Sequence, residues 1–130
     1  MVCASVAGKG LCCVNKRAQS LFIKQSGFFK LQVLCGKGCA EIDKVARDII
    51  ENAGYGKNFG HSLGHSVGIE IHEAPNFSPR SKDFTEAGNV ITVEPGIYIE
   101  GFGGVRIEDV VVLGEKTENL TDFTKELIII

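Results

Sequence analysis

The sequence predicts an α+β domain with a largely antiparallel sheet. Three observations carry this: one amphipathic helix, a series of β-branched runs after it, and glycine or proline punctuation between those runs. The helix comes first. In "EIDKVARDIIENAG", Ile42, Val45, Ala46, Ile49, Ile50 and Ala53 recur at helical spacing and Gly54 supplies a stop, so residues 41 to about 53 form a helix. Asp43 and Asp48 are assigned to its exposed side. A second, shorter helix is expected at about residues 16–26, on the weaker pattern of "NKRAQSLFIKQ". After a glycine-rich stretch, "PNFSPRSKDFTEAGN" reads as a loop by composition. The run Val90 to Val93 is then a strand closed by Pro95 and Gly96, "GIYIEGFGG" a strand entering a turn, and "GVRIEDVVVLG" one long strand.

Composition bounds the problem. At 130 residues, 44% hydrophobic and 23% charged, the chain describes one soluble domain able to bury a core. The net charge of −2 hides a split: residues 1–40 carry six basic groups and no Asp or Glu, whereas residues 41–130 carry eight basic against sixteen acidic, a net of −8. The first 40 residues therefore form a divergent basic, cysteine-containing segment, and residues 41–130 a second unit. The basic residues are isolated rather than clustered, so no nucleic-acid arm is expected. Five cysteines, all within the first third, are an odd number and suit reduced thiols in a cytoplasmic setting rather than a secreted disulfide framework. Cys35 and Cys39 are too widely spaced for a zinc knuckle and read as buried or half-buried thiols. The opening "MVCASVAGKGLCCV" lacks the basic start of a signal peptide, and no uncharged run approaches a membrane span.

Two features carry chemistry. On "GVRIEDVVVLG", Arg106, Glu108 and Val110 share one face by strand alternation. A glutamate in so apolar a run is partly buried and needs a positive partner, either Arg106 or a metal ion. Glu94, at the end of "NVITVE", calls for the same. The second feature is "GKNFGHSLGHSVGIEIHEAP", which holds all three histidines, His61, His65 and His72. His61 and His65 are four apart, but Ser62, Leu63 and Gly64 between them exclude the HExxH helix of zinc proteases. Glycines at 60, 64 and 68 suit instead an extended, bent strip whose backbone packs closely against something.

"FGHSLGHSVGIEIHEAP", "VITVEPGIYI" and "GFGGVRIEDVVVL", in that order, resemble the C-terminal half of the pita-bread metallopeptidases, in the Xaa-Pro aminopeptidase and prolidase branch. The resemblance covers roughly residues 36–130, including "EIDKVARDIIENAGYG" and the closing "LTDFTKELIII". Creatinase-like amidinohydrolases lie nearby and remain an alternative. The resemblance implies half of a pita-bread fold, with helices packed on a curved antiparallel sheet. It also implies a divalent-metal-dependent peptidase that cleaves the bond preceding proline. His65 would be the imidazole metal ligand, Glu94 a carboxylate ligand and proton acceptor, and Glu108 a carboxylate bridging two ions roughly 3.5 Å apart. The ions are usually Mn²⁺, with Co²⁺ or Zn²⁺ as alternatives. His72 would meet the tetrahedral intermediate, His61 would line the pocket, and Arg106 would hold Glu108 in place. Glu70 and Glu73 match no ligand position.

The departure from that pattern is equally specific. The family's site needs two further aspartates on strands before the helix, and residues 1–40 contain none. One His and two Glu would hold at most a single ion, weakly. The expectation is therefore part of a peptidase with little activity alone. It should oligomerise or depend on a missing N-terminal half, because half of a pseudo-two-fold domain exposes an apolar edge or face. The alternatives are a subunit completed by another chain, and a non-catalytic peptide-binding module on the same fold.

Overall fold

A computed structural model describes residues 35–122 and the backbone of residues 2–6. The helix expected near residues 16–26 lies outside them, as does most of the closing "LTDFTKELIII". Helix α1 spans Cys39–Asn52, beginning two residues before the expected start. Gly38 caps it without a side chain, and the Cys39 N–H donates to the Asp83 carbonyl (2.9 Å). The stop falls where Gly54 takes φ +87°, a left-handed conformation that costs glycine little.

The buried stripe of α1 is Cys39, Ile42, Asp43, Ala46 and Ile50. Each fully buried Ile is worth about 1.5–3 kcal/mol. Asp43 in that stripe corrects the sequence expectation: its side chain is fully buried, not exposed. Positions 39, 43, 46 and 50 lie on one helical face, and the carboxylate is compensated there by Arg47 and by the Leu63 N–H. Asp48 does face solvent, paired with Lys44.

Strands β1 (Val2–Val6), β2 (Gly64–Ser66), β3 (Glu73–Phe77), β4 (Val90–Val93), β5 (Gly96–Ile99), β6 (Gly103–Ile107), β7 (Asp109–Val112) and β8 (Glu118–Asn119) form two antiparallel sheets, ordered β1-β6-β5 and β3-β2-β4-β7-β8. The fold class is thus α+β, as expected. Helix α1 packs against β3 and a short 3₁₀ turn, Gly56–Asn58. Ile91, Thr92 and Val93 are buried in succession because β4 sits between β2 and β7 with both faces covered. Phe77, Leu63, Val111 and Leu113 complete the core with Cys39, Ala46 and Ile50.

Two strand expectations change. The segment read as a loop contains most of β3, with Pro75 inside it; β3 is the outer strand of its sheet, where a residue without an N–H is tolerated. The single long strand is divided at Glu108 into β6 and β7, which belong to different sheets. β4 and β5 are likewise divided at Glu94 and Pro95. Yet the register from Val93↔Asp109 continues unbroken to Gly96↔Arg106, which sets Glu94 opposite Glu108. The four strands are one bent two-stranded ribbon, with both glutamates at the bend.

Candidate metal centre

An open groove of about 670 Å³ lies beside that bend, and His61, His65, His72, Glu94 and Arg106 all reach it. β2 delivers His65. Its preceding residue must be glycine, since a Cβ at Gly64 would overlap the Thr92 carbonyl oxygen of β4. Gly68 is similarly crowded by the Glu73 carboxylate, whereas Gly60 has open space around it. The close-approach reading of the glycines therefore holds at 64 and 68, and not at 60.

His65 Nδ1 lies 3.1 Å from the Ser66 carbonyl, an acceptor, so Nδ1 carries the proton and donates. That leaves an Nε2 lone pair facing Glu94 Oε1 at 3.3 Å. Two lone pairs at this distance repel unless a proton or a cation lies between them. The carboxylate is aimed by Thr92, whose buried hydroxyl lies 3.1 Å from Glu94 Oε1 and accepts the His65 N–H at 2.9 Å. Sequence reasoning missed Thr92. The available signal was its place two residues before Glu94, on the same strand face, as a polar residue within an apolar run.

Arg106 spans both glutamates, with Nε 3.8 Å from Glu94 Oε2 and one terminal nitrogen 3.4 Å from Glu108 Oε2. Like charges set opposite each other across an antiparallel pair are destabilising, and the guanidinium offsets this. Its Nε is buried without a hydrogen-bond partner. Burial disfavours the Arg106 charge, but Tyr98, Glu108 and Glu94 together outweigh it and hold the pKa above its ordinary value. His65 and Glu94 suit one divalent ion by donor chemistry. Glu108 is turned to Arg106, and no group of three ligating side chains is gathered among the described residues.

The other histidines flank this centre. The His72 ring lies 4.2 Å from that of His65, centroid to centroid. His61 Nδ1 faces the Ser62 carbonyl at 2.7 Å and must donate to it, so Nε2 accepts the Tyr98 O–H at 3.1 Å. Tyr98, which orients His61, is a second residue that sequence reasoning missed. Glu73 accepts the Glu70 N–H (2.9 Å) and folds the loop that carries His72, in keeping with a structural place for both. Cys39 is buried and Cys35 exposed, the latter against the half-buried expectation.

Among the described residues no helix is long and apolar enough to cross a membrane. The model of metallopeptidase family M24 matches residues 29–115. An uncharacterised peptidase, YqhT, of Bacillus subtilis is 53% identical over 91 residues, covering 69% of this chain and 26% of its own length. An Xaa-Pro dipeptidase of Pyrococcus furiosus is 50% identical over 94 residues, covering 72% of this chain and 27% of its own. Among solved structures, an Xaa-Pro dipeptidase from Bacillus anthracis superposes with a TM-score of 0.83 at 44% identity, covering 88% of this chain and 33% of that one. The prolidase of Pyrococcus horikoshii gives 0.82 at 40%, covering 87% and 33%. These neighbours carry the pita-bread fold, and the chain spans between a quarter and a third of their length.

Proposed function

Because this chain belongs to metallopeptidase family M24, we propose that it contributes the metal-binding and substrate-binding groove of a peptidase that cleaves the bond preceding proline. One observation carries the reading: His65 Nε2 and a Glu94 oxygen meet at 3.3 Å in the groove. His65 and Glu94 would hold a divalent ion, with Glu108 joining them by turning from Arg106. Mn²⁺ is the first choice and Co²⁺ or Zn²⁺ the alternatives. A bound ion supplies Lewis acidity and lowers the pKa of water.

The chain's own groups supply the rest. Glu94 takes the proton of the attacking water, His72 donates a hydrogen bond to the developing oxyanion, and His61 lines the site beside Tyr98. Arg106 keeps the two glutamates apart in charge and fixed in place. By resemblance this chain supplies three of five ligands, so turnover by these 130 residues alone is low. It rises when two further carboxylates come from another chain or from other residues of a longer protein. Exposed Ile69, Ile71 and Phe84 favour such association. The odd number of cysteines, with Cys35 and Cys39 both free thiols, supports a cytoplasmic location.

Titration calorimetry with Mn²⁺ tests the reading. Binding should occur at one site per chain and disappear in both His65→Ala and Glu94→Gln; binding indifferent to both substitutions would sink it. The second reading, a peptide-binding module without catalysis, draws on Arg106's hold on Glu108, which leaves the ligand set open. Binding of a proline-containing peptide that survives chelator and His65→Ala would favour it.

A further inference from the structure

The groove's floor is fixed from behind by a pair of side chains on α1, and we propose that Asp43 and Arg47 are positioning residues for the strip that carries His61. Every second residue from 59 to 63 turns a main-chain atom toward the helix, the spacing of an extended segment. Arg47 donates to the Phe59 carbonyl at 3.1 Å and to the His61 carbonyl at 2.5 Å. Asp43 Oδ1 accepts the Leu63 N–H at 3.0 Å, a donor it shares with the Phe77 carbonyl of β3 at 2.8 Å. At Phe59 and His61, Arg47 thus makes the contacts that a neighbouring strand would otherwise make, and Asp43 adds a second hold at Leu63.

The pair is built for this task. Arg47 Nε lies 2.5 Å from Asp43 Oδ2 and a terminal nitrogen 3.2 Å from Oδ1, so the fork is fixed by the carboxylate before it reaches the strip. The guanidinium also lies over the Phe59 ring, 4.5 Å from its centroid. Asp43 is fully buried, so its three donors are obligatory. Open space around Gly60 provides no steric hold at the middle of the strip. The Leu63 carbonyl in turn accepts the Glu94 N–H at 2.7 Å, so the same hold extends to the backbone of the carboxylate that faces His65. The importance of His61 rests on the groove being the peptide site proposed above; the positional claim does not.

Amide hydrogen exchange and ring contacts by NMR on the full chain test this with neither metal nor peptide, so its failure is distinct from failure of the peptidase reading. Arg47→Lys keeps a charge beside Asp43 but cannot hold two carbonyls and a carboxylate at once. In that variant the Leu63 amide should exchange at least about tenfold faster, with Thr92 and Val111 unchanged. The cross-peak between the His61 and Tyr98 rings should be lost. Asp43→Asn should accelerate Leu63 less, because its amide oxygen still accepts. Lys44→Ala, which removes only the surface pair with Asp48, should change nothing. Unchanged Leu63 exchange in Arg47→Lys overturns the proposal, and so does equal acceleration across β4 and β7, which would make the pair a general stability element.

Discussion

His65 Nε2 and Glu94 Oε1 stand 3.3 Å apart because β2 and β4 are drawn together at a glycine. The consequence is testable at Gly64. A methyl group there would overlap the Thr92 carbonyl, and backbone on both strands would have to separate. Gly64→Ala is expected to cost about 1–3 kcal/mol or more and to abolish Mn²⁺ binding. Gly60→Ala, with nothing near its Cβ, should leave both unchanged. Urea melts and calorimetry on the two variants decide it; equal effects at the two positions would refute the close-approach account.

Thr92 ties the same two residues by hydrogen bonds rather than by distance. Thr92→Val keeps the shape, removes the acceptor for the His65 N–H, and frees Glu94 Oε1. An unsatisfied buried donor costs about 1–3 kcal/mol. Mn²⁺ affinity should fall by about 10–100-fold, as for other groups that orient ligands. Thr92→Ser restores the hydroxyl and should recover most of both. A Ser variant no better than Val would assign the effect to packing.

Much of this architecture was readable from the residues, and the exceptions share a cause. Helix α1 and strands β4 and β5 announce themselves by local periodicity, since each buries one face or two within a few residues. β3 does not, because its pairing with β2 is non-local and Pro75 and Asn76 look like loop composition. The division at Glu108 was hidden because burial alternates through it from Val105 to Val111 as in a continuous strand. Asp43 was misplaced because a charge on a helix reads as solvent-facing until its distant partner, the Leu63 N–H, is known. At the site, the histidines and glutamates stood out by spacing and strand face and took their separate roles from the family resemblance, whereas Thr92 and Tyr98 act through contacts to other segments.

Arg106 pairs with both glutamates, and its removal tests how they tolerate each other. In Arg106→Met the two carboxylates face each other without the guanidinium. The Arg106 side chain is 36% exposed, so the expected loss is about 1 kcal/mol rather than the 3–5 of a fully buried pair. Mn²⁺ should then raise the melting temperature of the variant by more than it raises that of the parent chain. A smaller increment in the variant would show that Arg106 does not compete with metal for Glu108.

Cys39 gives the pH dependence. As the first residue of α1 its thiol lies where a helix N-terminus favours the thiolate. Burial, then the nearby Asp83 charge, outweigh the Ser81 hydrogen bond and push its pKa above the ordinary 9.0. The sign follows by linkage. With the folded pKa above the unfolded one, the unfolded chain releases this proton first as pH rises. The contribution of Cys39 to stability is therefore complete below pH 9.0 and is lost as pH climbs from there through the folded pKa. Other groups titrate in that range too, so the comparison must be between chains: from neutral to alkaline pH, the parent's urea midpoint should fall further than that of Cys39→Ala. Parallel losses in the two would place the alkaline instability elsewhere. The same raised pKa protects the thiol, so exposed Cys35 should be alkylated at neutral pH well before Cys39, as peptide mass mapping would show.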